Sequence, residues 1–203
     1  MTYRQLQGFE HFYIYYNEDP AIVRPLIRPF VDAGLVTVVD WQWPPRYAGL
    51  LVYQQAVDNS CVLRARGVAR WVARHDVDEF FLPRKPGVAF RDLLAEMGPE
   101  IGALQLHTQF FGPHTDLALQ ARLDTTSRLV TARVVAAGEV VLGARQKCVV
   151  RPEAISYFSI HNVAVGATMH ATNDDVVRIS HYKYGASARR YNVLDYTARA
   201  VAA

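Results

Sequence analysis

Apolar and polar positions follow two rhythms along the chain. The run Phe12-Tyr13-Ile14-Tyr15-Tyr16 is aromatic and β-branched and stops at Asn17-Glu18-Asp19-Pro20, which predicts a buried strand and a turn. Residues 21–33 then carry Val23, Leu26, Ile27, Phe30 and Val31 at helical spacing, with Gly34 placed to end the helix. Pro25 and Pro29 argue against an unbroken helix there. Val36-Thr37-Val38-Val39 predicts the next strand, so the chain opens as strand, helix, strand, which implies a parallel crossover. The helical rhythm returns over residues 50–66 and, briefly, 91–97. Residues 71–75 read as a strand, and residues 101–111 alternate as another that ends at Gly112-Pro113-His114-Thr115-Asp116. Strand signals then dominate at 129–135, 147–150, 157–160 and 176–180, and an amphipathic tail begins near residue 186. Strands alternating with helices first, and mostly strands afterwards, predict an α/β fold with a mixed sheet. With no linker in view, residues 1–203 are expected to form one domain.

Composition narrows the partners. The 203 residues are 51% hydrophobic, enough for one sizeable core. The net charge of +3 comes from scattered arginines rather than a basic stripe, so nucleic acid is not an expected partner. Cys61 and Cys148 form neither a Cys-x-x-Cys pair nor a zinc cluster; they are read as free buried thiols, or as a disulfide in an oxidising lumen. No apolar stretch reaches the roughly 18 residues of a membrane span, and the polar N-terminus lacks a signal-peptide core. The chain is therefore expected to be soluble.

The chemistry concentrates in Trp71-Val72-Ala73-Arg74-His75-Asp76-Val77-Asp78-Glu79-Phe80-Phe81. A β-prone segment runs into three carboxylates, two of them at i and i+2, and returns at once to apolar residues. Closely spaced hard oxygen ligands at the end of a strand can hold a divalent cation against a phosphate, as a nucleotide-sugar transferase requires. Consecutive acids also repel one another unless a cation neutralises them. A solvated turn with Asp76 as a helix cap is the plainer alternative. His181, in Ser180-His181-Tyr182-Lys183, ends another β-prone run and could complete the metal shell while Lys183 approaches a diphosphate; a hydrogen-bonded histidine at a strand end competes with that reading. His161 is a weaker version of the same idea. Lys147 is a candidate phosphate lysine or a surface residue, and Trp41 and Trp43 offer flat faces to a sugar or cover a sheet edge. Asp116 is a candidate general base for an acceptor hydroxyl, or an ordinary loop aspartate.

Four segments resemble glycosyltransferase family 92 and its bacterial glycosyltransferase-2-like relatives. They are His11-Phe12-Tyr13-Ile14-Tyr15-Tyr16-Asn17, similar to the family's "hf.iYdN"; Trp43-Pro44 followed by Gln54-Gln55 and Asn59-Ser60-Cys61; residues 71–83, similar to "W.a..DvDEF..p"; and Phe111-Gly112, residues 147–152 and His161, with His181-Tyr182 in place of a late "HY". The resemblance implies a GT-A-like nucleotide-sugar transferase fold, a Rossmann-like mixed sheet flanked by helices. It implies transfer of a sugar, often galactose, from a UDP-sugar donor to a glycan acceptor with inversion, aided by Mn2+ or Mg2+. Asp76 and Asp78 would then be the metal- and nucleotide-binding pair, with Glu79, Lys147 and Lys183 beside the nucleotide sugar and His181 (alternatively His161) a late metal ligand. Members carry a strand and helix ahead of the "hf.iYdN" segment, so an N-terminal strand is expected to be missing here, and Tyr16 stands where an aspartate is usual. Eukaryotic members are Golgi membrane proteins facing the lumen through an anchor that this chain does not contain; bacterial ones are cytoplasmic. The competing expectation is a transferase-like module that binds glycans or partner subunits without catalysis.

Overall fold

The computed structural model describes residues 2–16, 20–41, 50–111, 135–137, 146–172, 176–182 and 191–194. After a short helix α1 (Thr2–Leu6), strands β1 (Phe12–Tyr16) and β2 (Val36–Asp40) pair in parallel, Phe12 opposite Val36 and Tyr16 opposite Asp40, with helix α2 (Pro20–Asp32) as the crossover. The opening strand–helix–strand is as the apolar rhythm predicts. Contrary to expectation, α2 runs through Pro25 and Pro29, both of them exposed. Ile27 is buried and Val23 and Phe30 are half-buried, but Leu26 is 72% exposed. Gly34 ends the helix at φ 71°, its N–H bonded to the Val31 carbonyl at 2.9 Å.

The next elements are α3 (Leu50–Ala65), β3 (Val72–Ala73), β4 (Glu79–Pro83), α4 (Phe90–Ala95), β5 (Ala103–Leu106), β6 (Thr108–Phe111), β7 (Val135–Ala137) and β8 (Lys147–Val150). A 3₁₀ turn at Pro152–Ala154 leads to β9 (Ile155–Ser159), β10 (Asn162–Gly166), β11 (Met169–Ala171), β12 (Val177–Tyr182) and β13 (Tyr191–Leu194). Two larger sheets form among the described residues, one in the order β11-β5-β8-β3 and one in the order β13-β7-β6-β12-β4. The second is mixed, because β12 runs parallel to β6 and antiparallel to β4. The architecture is therefore mixed α/β, with helices flanking the sheets, and β9 and β10 form a separate hairpin. Asn59 of α3 clamps that hairpin, donating to the Phe158 carbonyl and accepting from the Phe158 N–H at 2.7 and 2.8 Å.

Two sequence expectations need correction. The segment 71–75 is a strand only at Val72–Ala73; the Arg74 N–H makes one long last bond of 3.4 Å to the Cys148 carbonyl, and the chain then leaves the ladder. The acids accordingly occupy the passage from β3 in one sheet to β4 in the other, and Glu79 opens β4. The segment 101–111 likewise divides at His107, β5 joining one sheet and β6 the other, with the His107 carbonyl accepting from Ile179 of β12. Both passages bring the sheets against one core of Phe81, Phe90, Leu104, Leu106, Val149, Val177 and Ile179. Of the segment 129–135 only Val135 is described, and of the tail from 186 only β13.

β1 pairs with β2, and β3 with β8; in each case the opposite edge has no strand beside it among the described residues. Residues of both, with α3, line a cavity of about 1000 Å³ whose walls include Phe12, Ile14, Tyr53, Val62, Val72 and Val150. Cys61 and Cys148 are free thiols, pushed up to about 11 and about 12 by burial. No helix among the described residues is long and apolar enough to cross a membrane.

Candidate functional site

The antiparallel register of β4 and β12 sets His181 directly opposite Glu79, so their side chains leave the sheet on one face. Nδ1 of His181 lies 3.1 Å from Glu79 Oε1. Asp78 precedes β4, and its carbonyl accepts the Tyr182 N–H at 2.9 Å. That bond turns the Asp78 carboxylate to the other side of the same imidazole, with Oδ2 3.3 Å from Nε2. One histidine thus faces two acids from the passage between the sheets.

The remaining charge forms a connected series. Glu79 is fully buried, and its Oε2 meets Lys147 Nζ at 3.2 Å and the Asp76 N–H at 2.8 Å. Lys147, itself only 2% exposed, also meets Asp76 Oδ2 at 2.9 Å. The other Asp76 oxygen pairs with Arg74 Nη1 at 3.0 Å, and Arg74 Nε reaches Asp58 of α3 at 3.2 Å. Burial alone would raise the Asp76 carboxyl, but Arg74 and Lys147 outweigh it and hold Asp76 below the usual carboxylate range. Asp58 is pushed up to about 6 by burial, which Arg74 only partly offsets. Arg4, from α1, donates to the carbonyls of Asp76, Val77 and Glu79 at 3.2, 3.0 and 2.9 Å, fixing the backbone that presents the acids.

The three acids are therefore not equivalent. Asp76 and Glu79 are neutralised by protein cations, the role the sequence reading gave to a metal. Asp78 faces the His181 imidazole with a half-buried carboxylate, 34% exposed. A carboxylate and an imidazole presented together form a donor pair suited to a divalent cation. Among the described residues, no group of three His, Cys, Asp or Glu side chains gathers as a metal site, so Asp76 does not join that pair directly. His161 lies within reach of the charges of Lys147, Arg74 and Asp76; its Nδ1 is 2.8 Å from the Gln146 carbonyl oxygen, and burial lowers its affinity for a proton. Lys147 and Glu79 present no surface to a donor molecule, contrary to the sequence assignment, because each is enclosed by its ion pairs. Asp116, Lys183 and Trp43 lie outside the described residues; Trp41 packs edge-on against Tyr15 at 5.6 Å. His75 is half-buried and lines the cavity rather than the core: it sits against Phe9 and Phe81, and its Nδ1 lies 2.9 Å from the Asp76 carbonyl oxygen.

Arg4, Asp58 and Arg74 were not legible as site residues. Nothing in the helical spacing of α3 marks Asp58, and Arg4 stands 72 positions from the first carbonyl it holds. The alternation Arg74-x-Asp76-x-Asp78 was the one available signal.

The model of glycosyltransferase family 92 matches residues 1–199. A glycosyltransferase family 92 protein of Ricinus communis is 29% identical over 197 residues, covering 91% of this chain and 32% of its own length. A beta-1,4-galactosyltransferase of Caenorhabditis elegans is 25% identical over 182 residues, covering 87% of this chain and 39% of its own. A galactan beta-1,4-galactosyltransferase of Arabidopsis thaliana is 35% identical over 65 residues, 32% of this chain and 12% of its own. The chain thus spans 32% and 39% of the lengths of the first two relatives.

Proposed function

The chain belongs to glycosyltransferase family 92, and we propose that it carries the donor-handling part of a GT-A enzyme that transfers a sugar from a UDP-sugar to a glycan acceptor with inversion. Galactose is the sugar favoured by the names of two relatives. The observation that carries this reading is the Asp78–His181 contact, which joins the acidic turn to a strand far downstream. Asp78 and His181 would hold Mn2+ or Mg2+. The bound ion would offset charge on the departing nucleoside diphosphate.

Asp76, held ionised by Arg74 and Lys147, stands ready to accept a hydrogen bond from the donor's ribose or from water. Arg4 keeps the turn in the shape that delivers both aspartates. Asp116 is the residue proposed to take the proton of the acceptor hydroxyl, and Lys183, two positions beyond His181, the one to approach the diphosphate.

Thermal unfolding with Mn2+ and UDP tests the reading. A ligand bound at one hundred times its Kd should stabilise the folded chain by about 2.7 kcal/mol, and Asp78→Ala should abolish the response. No shift in the wild-type protein would remove the donor site from the argument. Binding without turnover of UDP-galactose by the whole protein would point instead to a non-catalytic glycan- or partner-binding module.

A further inference from the structure

We infer that the gap between β1 and β3 is a slot for one extended strand of apolar polypeptide, contributed from outside residues 1–203. Neither the metal nor the donor enters into it. Among the described residues β1 pairs only with β2 and β3 only with β8, and residues of both strands line the same cavity. The phase of the two ladders fixes what their other edges offer. Phe12 donates its N–H to the Leu35 carbonyl at 2.9 Å, and the Tyr16 carbonyl accepts from Trp41 at 3.3 Å. Phe12, Ile14 and Tyr16 therefore bond toward β2, while the backbone N–H and C=O of Tyr13 and Tyr15 point the other way. Arg74 donates to the Cys148 carbonyl, so Val72 bonds toward β8 and Ala73 turns its N–H and C=O from it. Tyr13, Tyr15 and Ala73 all line the cavity. Buried backbone groups are nearly always paired, and an extended backbone supplies donors and acceptors alternately along both of its edges, as an acyl chain does not. Asp58 and Trp71 line the same space, each with a buried polar atom, Oδ2 and Nε1, that has no hydrogen-bond partner among the described residues. The occupant's side chains should be apolar on both faces. Val72 joins the cluster around Val62 of α3 and Ala73 the cluster around Phe90 of α4, so the sheet is covered on each side. The five residues of β1 set the length of the added strand, about 16 Å. Its source is polypeptide beyond the shared stretch, since the first two relatives are matched over only 32% and 39% of their own lengths. With the slot filled, β2, β1, the added strand, β3, β8, β5 and β11 become one sheet, and β3, two residues long, gains support just ahead of Asp76.

Amide hydrogen exchange of the whole chain, read residue by residue by NMR, tests the slot. The probe is the peptide acetyl-Lys-Val-Val-Ile-Val-Val-Lys-amide, kept soluble by its end charges. The control peptide carries Pro at the central position, which removes a ladder donor. In the chain alone, the amides of Tyr13, Tyr15 and Ala73 should exchange faster than those of Ile14 and Val72, which bond within the ladders. The probe should slow all three by about 10-fold or more, and the control should leave them unchanged. Slow exchange of all three without peptide would mean that both edges are already paired, and overturns the slot. Protection at one edge alone, or no change up to the solubility limit of the probe, overturns it as well. Protection that grows with protein concentration in the absence of peptide would make a second copy the occupant and overturn the outside strand. No readout here involves Mn2+ or UDP, so this result and that of the donor-site test are independent.

Discussion

Three carboxylates stand within four consecutive residues, and each has different partners: Asp76 has Lys147 and Arg74, Glu79 has Lys147 and His181, and Asp78 faces His181. The repulsion that the sequence makes obvious is relieved by Arg74 and by a lysine 71 positions from Asp76. Its neighbours Cys148, Val149 and Val150 are all buried, so the lysine that opens a fully enclosed strand needs anions to meet it. The acid cluster was thus legible residue by residue, but its counter-charges were not, because pairing across a sheet leaves no mark in local spacing. His75 gives a measurable consequence. Burial, with Arg4 adding to it, holds this imidazole at about 3, against 6.5 ordinarily. Below pH 6.5 the unfolded chain takes a proton that the folded chain refuses, so stability is full above that pH and declines as pH falls toward about 3. Asp76 acts in the same sense below 3.8, whereas Asp58, raised to about 6, favours the folded chain as pH drops through that value. Replacing His75 by Gln, which retains a donor for the Asp76 carbonyl, should flatten the fall in melting temperature between pH 6.5 and 3. Parallel wild-type and variant melts across that range check it.

Among the elements, the parallel opening of β1, α2 and β2 followed from apolar rhythm alone, and so did the place of α3, α4 and β8. The rhythm could not show where a strand changes sheets. Both changes, after Ala73 and at His107, occur inside runs that look continuous, since a half-turn of the backbone preserves hydrophobicity while exchanging hydrogen-bond partners. The hairpin of β9 and β10 depends on close approach rather than pattern. A Cβ on Gly102 would sit 2.4 Å from Ala167 Cβ and 2.9 Å from Ala154 Cβ, two methyl groups with no flexible end to retreat. Gly102→Ala should therefore cost about 1–3 kcal/mol through overpacking, read as a lower midpoint with an unchanged slope in urea unfolding. A midpoint equal to wild type would show that the hairpin yields freely.

For the molecule as a whole, the cavity between β1 and β3 is a departure from close packing. Its walls combine aromatic and aliphatic side chains with Arg4, Arg70 and Arg74, and should admit the anionic dye 1-anilino-8-naphthalenesulfonate, giving enhanced emission at neutral pH. A cooperative urea transition in the same sample would separate uptake by a folded protein from the loose states that also bind the dye. No enhancement would mean that the space is closed in solution. The pairing of β4 with β12 has a broader consequence. Sliding one strand past the other by a single residue would swing every second side chain to the far side, parting Glu79 from His181 even if every backbone bond were re-formed. The meeting of Glu79 and His181 is therefore an all-or-none property of strand alignment.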